Sequence, residues 1–363
     1  MINVTKTYLP DINKYKGYID KIYASNQLTN NGQLVLELEK RLKKHLGVNN
    51  IILVANGTLA LDIAYKALNV TGEVITTPFS FVATTNSIVS NGLTPVFADI
   101  DPIDFNLDPN NIEPLITEQT SAIVPVHVFG NPCQIEVIQN LADKNNLKVI
   151  YDACHAFGVN YIDKSSVSQS ILNYGCISTM SFHATKLFHT IEGGAVITND
   201  DELAKKIRLL INFGITGSGL IELAGINAKM NEFEAAMGLC ILDDMAEITS
   251  RRKLAYEKYQ KELSGFVQFQ KLRENSTQNW SYFPVVFQSE QELLKAQKAL
   301  NAKYIFPRRY FYPSLDTLEY IQSNQVCKSS REISKRILCL PLYSELDLEM
   351  QDQIISVLQE CLQ

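Results

Sequence analysis

The chain has 363 residues, 46% of them hydrophobic and 20% charged, enough to bury one large core and a smaller one. Its net charge of -6 excludes a broad phosphate-backbone-binding surface, which needs a concentrated excess of Lys and Arg. No stretch approaches the roughly 18 uninterrupted apolar residues of a membrane span, and the first residues lack the basic region and apolar core of a signal peptide. A cytoplasmic protein without nucleic-acid or membrane partners is expected.

In chain order, "NIILVANG" reads as a strand and "TLALDIAYKALNV" as a helix with Leu59, Ile63 and Ala67 on one face. "GEVITT" is the next strand, "FVATTNSIVSNG" a helix, "TPVFADI" a strand and "SAIVPVHVFG" a buried strand. "QIEVIQNLADKNN" follows as a helix and "LKVIYDA" as another buried strand, before "GCISTMSFHA" and "GGAVITND" form an antiparallel-capable pair. Short apolar runs alternating with helix-period segments predict a mainly parallel sheet with crossover helices. The texture then turns helical, through "DELAKKIRLLINFG" and the long "NEFEAAMGLCILDDMAEITSRRKLAYEKYQKEL". A smaller α+β unit follows, with "WSYFPVVF" as its clearest strand, "SEQELLKAQKALNAK" as a helix and "SREISKRILCLPLYSELDLEMQDQIISVLQECL" at its close. The expected division is a large domain over residues 1–240, N-terminal segment included, and a smaller domain over residues 241–363.

Four segments at strand-to-helix junctions carry chemistry, and such junctions are where open α/β sheets place ligands. In "ANGTLAL", Gly57 and Thr58 offer backbone N–H groups, a hydroxyl and a helix N-terminus to an anion such as a phosphate; an ordinary N-cap at Thr58 explains the same residues. In "TTPFSFVATTN", Phe81 suits stacking on a planar ring or simple core packing. In "VIYDACHAFG", Asp152 ends a buried strand and His155 follows from the next turn, so both could meet one ligand; a structural Asp capping that turn is the alternative. In "SFHATKLFHTIEGG", Lys186 stands among Ser181, His183 and Glu192, company that suits a site better than a surface. A lysine acting as nucleophile and base needs a lowered pKa, which burial beside an electron-withdrawing cofactor or a second cation provides.

A zinc site from His155, His183 and His189 lacks HxH or HxxxH spacing. The seven cysteines are odd in number, scattered and without a CxxC pair, so neither a disulfide framework nor a metal site is expected. Only Cys154 falls inside a site segment. Phosphate donors, a stacking aromatic, an acid for a pyridine nitrogen and a lysine for a Schiff base form the protein side of pyridoxal phosphate chemistry.

The motifs "NGTLAL", "FSFVATTN", "PVFADIDPIDFNLDP", "VPVHVFGNP", "YDACHAFG", "SFHATK", "EGGAVITND" and "NAKMNEFEAAMGL" resemble, in order and over nearly the whole chain, the DegT/StrS-type sugar nucleotide aminotransferases. The resemblance implies the α/β fold-type I architecture of pyridoxal phosphate-dependent aminotransferases, with a large α/β/α domain and a small C-terminal α+β domain. It implies a homodimer with shared active sites. It makes Lys186 the Schiff-base lysine, Asp152 the pyridine-nitrogen partner and Phe81 the ring cover. His155 stands where many members have Gln near the phenolic oxygen. Gly57, Thr58 and Ser181 would hold the phosphate, joined by Asn227 of "GINAKMNE" from the neighbouring subunit.

Thr29 and Asn30 of "LTNNG" match the family's substrate-side loop, and His183 and Glu192 fall beside the substrate; His189 receives no role. "ITTPFSFVATTN", "KLFHTIEGG", "GINAKMNEFEAAMGL" and "IFPRRYFYPSL" look most like the members that use L-glutamate to aminate the 4-keto carbon of dTDP-4-keto-6-deoxy-D-glucose for surface polysaccharide such as O-antigen. In "PRRYFY", Arg308 and Arg309 would pair with a nucleotide diphosphate and Tyr310 would pack on sugar or base, with solvated surface as the alternative for the arginines. A 3-keto sugar aminotransferase and a non-catalytic pyridoxal phosphate-binding regulator are the rivals. A sugar dehydratase of this family would lack the lysine that Lys186 supplies.

Overall fold

The computed structural model describes residues 1–164, 166–321 and 323–362. A short strand β1 (Ile2–Asn3) and helices α1 (Ile12–Ser25) and α2 (Gln33–Leu46) precede β2 (Asn50–Val54). Next come α3 (Gly57–Ala67), β3 (Glu73–Thr76), α4 (Val82–Ser90), β4 (Thr94–Phe97), β5 (Thr120–Val124), α5 (Ile135–Lys144) and β6 (Lys148–Asp152). A hairpin of β7 (Asn160–Ile162) and β8 (Ser168–Ser170) leads to β9 (Ile177–Ser181), β10 (Gly194–Thr198) and α6 (Asp201–Leu210). After a hairpin of β11 (Ile215–Gly217) and β12 (Leu220–Ile221), the 31-residue helix α7 (Glu232–Glu262) runs on to β13 (Gln268–Phe269) and β14 (Phe283–Val286). The chain ends with α8 (Glu290–Ala302), β15 (Ile305–Phe306), α9 (Lys328–Arg336), β16 (Ile337–Leu340) and α10 (Leu348–Leu362). The predicted strand "SAIVPVHVFG" stops at Val124 because Pro125 has no N–H to continue the ladder.

Seven strands form the main sheet in the order β2-β10-β9-β6-β5-β3-β4. All pairings are parallel except those of β10, which runs against both β2 and β9. Successive strand residues point to opposite faces, and the two cores follow from that. Ile51, Leu53, Val149 and Ala195 pack with α2, α5 and the first half of α7, whereas Ile52, Val54, Ile150 and Val196 pack with α3 and α6. This is the α/β/α arrangement expected of fold type I.

A third core, around the sheet β13-β14-β16 with α8 and α10, takes in Ala255 and Tyr259 from the second half of α7. Residue 240 therefore lies inside a helix shared by both units rather than at a break. Strand β1 pairs with β15, and Ile2 packs in this third core. The first residues thus belong with the smaller unit, in contrast to the expected assignment. Among the described residues no helix is long and apolar enough to cross a membrane.

Glu232, at the start of α7 and only 2% exposed, accepts hydrogen bonds from the N–H groups of Leu34 and Val35 at 2.9 Å each. It caps α2, whose own N-cap residue, Gly32, has no side chain for the task. A Cβ at Gly32 would lie 2.7 Å from either carboxylate oxygen, so the cap requires glycine there. Glu232→Ala is expected to lower stability by about 2 kcal/mol, read as a lower midpoint of chemical unfolding; an unchanged midpoint would show that water replaces the cap at no cost.

Candidate active site

One edge of the sheet collects the functional groups. Gly194, the first residue of β10, pairs with Val54 and with Ser181, so the ends of β2 and β9 lie level with it. The side chain of Asn56 accepts from Leu59 N–H at 2.9 Å and is the N-cap of α3, so the alternative reading of Thr58 as the cap does not hold. The N–H groups of Gly57 and Thr58, in the first helical turn, have no intrahelical acceptor. A Cβ on Gly57 would come within 2.7 Å of Ser181 Cβ, so only glycine lets the helix start lie against the serine. Two N–H groups, two hydroxyls and the positive helix end form an anion cradle.

The cradle opens on a cavity of about 270 Å³ whose lining includes Gly57, Thr58, Phe81, Asp152, His155, Ser181, His183, Lys186, Glu192, Arg308 and Tyr310. Asp152 is 5% exposed; Oδ2 accepts from Thr84 Oγ1 at 2.8 Å and Oδ1 from Cys154 N–H at 3.2 Å. Ser80 shares a 2.8 Å hydrogen bond with Thr84, extending the support behind the carboxylate. His155 Nδ1 accepts from Phe129 N–H at 3.2 Å, so the neutral ring carries its proton on Nε2. The ring lies nearly parallel to Phe129 and Phe311, with centroids 6.1 and 5.8 Å away. Lys186 Nζ donates to the Tyr282 hydroxyl at 3.3 Å.

Toward the mouth, His183 Nδ1 is 2.8 Å from Thr185 Oγ1, and Nε2 is 3.5 Å from Glu192. Phe81 is 51% exposed and keeps a ring face free for a planar ligand. Arg308 stacks its guanidinium 4.7 Å from the Tyr310 centroid. These groups fit pyridoxal phosphate: a cradle for the phosphate, a buried carboxylate for the ring nitrogen, an Nε2–H for the phenolic oxygen and an amine for the aldehyde.

Comparison with known proteins agrees with the geometry. Residues 11–359 match the model of the DegT/DnrJ/EryC1/StrS aminotransferase family. The chain belongs to this family. It is 44% identical to a dTDP-4-amino-4,6-dideoxy-D-glucose transaminase of Shigella dysenteriae, over 99% of this chain and 98% of that one. Among solved structures it resembles DesI in the presence of its TDP-sugar product, with a TM-score of 0.93 and 32% identity over 99% of this chain and 92% of that one. It also resembles ntda from Bacillus subtilis with bound cofactor PMP, with a TM-score of 0.88 and 26% identity over 97% of this chain and 82% of that one.

Not every expected site residue of this aminotransferase reaches the cavity. Arg309, next to Arg308, points the other way, donating to Glu290 at 2.8 Å and to the carbonyls of Ser334 and Lys335 at the end of α9. Neighbours on extended backbone face opposite sides, so only one of the two arginines could enter. Thr29, Asn30 and Asn227 are exposed and lie outside the cavity of their own chain. His189 turns away as well: Nε2 bonds the Tyr8 carbonyl at 2.8 Å and Nδ1 accepts from Ile191 N–H at 3.3 Å, which ties the N-terminal segment to the lysine loop. His155, His183 and His189, whose spacing does not suit zinc, bond to different partners.

Sequence reasoning missed Asn56, Thr84 and Tyr282. The hydroxyl run "VATTN" at a helix start was a usable signal for Thr84, whereas nothing near Tyr282 marks it.

The lysine departs from expectation in its electrostatics. Burial pulls the Lys186 ammonium toward its neutral form, but the hydrogen-bonded Tyr282 and the Asp152 carboxylate outweigh it and hold the pKa above the ordinary lysine value. The expected lowering calls for a bound electron-withdrawing cofactor or a second cation; the neighbouring ring of His155 is driven well below its usual pKa by burial and by Lys186 itself.

Gly57→Ala is expected to weaken binding of pyridoxal phosphate about tenfold or more, since overpacking costs roughly 1–3 kcal/mol; equilibrium dialysis measures it, and wild-type affinity refutes the close-approach argument. Burial also pulls His127 down to about 3 and His189 below its usual value. As pH falls below the ordinary His value of about 6.5, the unfolded chain takes up protons that folded His127, His155 and His189 refuse, so stability declines. Asp104, pushed up to about 6 by burial, opposes this partly. Unfolding midpoints at pH 7.5 and 5.5 check the sign, and a higher midpoint at pH 5.5 contradicts it.

Proposed function

We propose that the chain moves the amino group of L-glutamate to the 4-keto carbon of dTDP-4-keto-6-deoxy-D-glucose, giving dTDP-4-amino-4,6-dideoxy-D-glucose, with pyridoxal 5'-phosphate as cofactor. The observation that carries the reading is the placing of Lys186 and Asp152 on one cavity beside the cradle at Gly57. The name of the Shigella dysenteriae relative supports the choice of sugar.

When bound, pyridoxal phosphate supplies an electron sink for the carbon bonded to the amino nitrogen. The chain supplies the rest. Gly57, Thr58 and Ser181 hold the phosphate by the cradle already described. Asp152, fixed by Thr84 and Cys154 N–H, would hold the cofactor's ring nitrogen in its protonated form. His155, kept neutral by its lowered pKa, would offer its Nε2–H to the phenolic oxygen. Lys186 Nζ takes the proton from one carbon and returns it to another, in both half-reactions, a positioned acid–base role.

At the mouth, Arg308 pairs with the diphosphate and Tyr310 packs against sugar or base. His183 and Glu192 sit where the sugar enters. Thr29, Asn30 and Asn227, exposed on their own chain, are proposed to complete the site of a second copy in a cytoplasmic homodimer whose product feeds surface polysaccharide.

The test is amino transfer by purified protein from L-glutamate to dTDP-4-keto-6-deoxy-D-glucose, followed by mass and NMR analysis of the sugar. An equatorial or axial amine at C4 together with 2-oxoglutarate is expected. A product from the 3-keto isomer alone moves the ketone assignment, and no product from any keto sugar leaves the regulator reading. Lys186→Ala should lower turnover at least about a thousandfold with an unchanged circular dichroism spectrum; a near-normal rate would falsify the role of the lysine.

A further inference from the structure

We propose that Tyr282 is the residue that aims the Lys186 amine through its hydroxyl, so that the smaller unit supplies a working group to the lysine. This rests on the reading of Lys186 as the amine that moves the proton. Nζ is 3.3 Å from the Tyr282 hydroxyl and 6.0 Å from the ring centroid, so the hydroxyl rather than the ring face meets the amine. The competing groups are occupied. Asp152 accepts from Thr84 and from Cys154 N–H, and His155 Nδ1 accepts from Phe129 N–H. Burial pushes the Cys154 thiol well up, so it stays protonated.

A phenol suits the task chemically. Its oxygen accepts from the ammonium, and its O–H donates to the neutral amine. The contact therefore survives loss of the proton from Nζ, whereas a carboxylate pairs with the charged form alone.

The phenol is also held more firmly than packing alone requires. Its ring meets His155 edge-on at 4.9 Å, Phe129 at 5.3 Å and Tyr310 at 5.9 Å. Beneath it, the buried Arg252 of α7 donates to the carbonyls of Trp280 at 2.9 Å and Ser281 at 2.6 Å. Asn279, 6% exposed, donates to the carbonyls of His155 at 2.8 Å and Phe157 at 3.0 Å. Trp280 lies between these anchors with φ of 52°, a left-handed conformation that a bulky residue keeps only when its surroundings impose it. Residues 279–282 are thus pinned to α7 on one side and to the segment after Asp152 on the other, and the hydroxyl at their end is fixed in front of Nζ.

The experiment compares wild type with Tyr282→Phe. In cofactor-free full-length protein, acetic anhydride labelling of Lys186 is followed against pH by peptide mass spectrometry. In the holoenzyme, kcat and KM for glutamate are measured across pH. The expected result is a labelling curve displaced to lower pH by at least about half a unit, a kcat lower by about tenfold to a hundredfold and a KM within about threefold. A labelling curve that stays in place overturns the proposal. Should the melting curve find Tyr282→Phe unfolded, Arg252→Lys, which keeps the phenol and slackens the loop beneath it, takes its place with the same two outcomes. Lys186→Ala separates the two readings: transfer that survives it sinks the role of the lysine, whereas transfer lost there but intact in Tyr282→Phe sinks the present proposal alone.

Discussion

The register of a single antiparallel strand governs the site. Gly194 pairs on one side with Val54 and on the other with Ser181, so β2 and β9 end at the same height although they never touch. Helix α3 begins just beyond β2 and comes to rest against the Ser181 side chain. The parallel pairing of β9 with β6 sets Asp152 opposite Thr179, two residues back from Ser181. Cradle, carboxylate and lysine loop are therefore positioned by strand ends, which are stiffer supports than loops. A slip of one residue in β10 would turn every side chain on it to the other face. The two cores, which divide the strand residues alternately, oppose that slip along the whole length of the sheet.

Burial acts on Cys154, His155 and Lys186 in the cavity, but with different consequences. It pulls His155 down to a neutral ring and pushes Cys154 up to a neutral thiol. For Lys186 it also favours the neutral form, yet acidic neighbours outweigh it. The amine is thus the group on which a proton rests in this cavity. A raised pKa makes the neutral amine a stronger base and its ammonium a weaker proton donor, so the phenol beside Nζ bears on both directions of the transfer.

The fold was legible because buried strands of a parallel sheet read as continuous apolar runs, and "NIILV", "SAIV" and "KVIYD" are such runs. The residues closing those strands were legible for the same reason: Asp152, Ser181 and Gly57 need no long-range information to be placed at the sheet edge. Arg308 and Arg309 were not separable, since identical adjacent residues differ only in the face each presents. Tyr282 lies 96 positions from Lys186, and no local pattern encodes a contact that only the docking of the two units creates. The direction of the Lys186 shift without a cofactor was not legible either, because it depends on that tyrosine. Neither could the split at residue 240 be read, since α7 keeps one helical period while changing cores.

Docking of the two units also decides the state of His155. Its ring lies against both Phe129 from the large unit and Phe311 from the small one, and those two rings stack on each other at 5.7 Å with an interplanar angle of 6°. Half of the apolar wall that keeps the imidazole neutral therefore belongs to the smaller unit, as does the phenol facing Nζ. Were the units to part, water would reach the ring, its pKa would return toward the ordinary histidine value, and the hydrogen bond to Lys186 would go with it. Burial of the histidine and alignment of the lysine are consequences of one packing event. That coupling gives a physical reason for the site to lie between two cores instead of within either: the chemistry is assembled only where both are closed against each other.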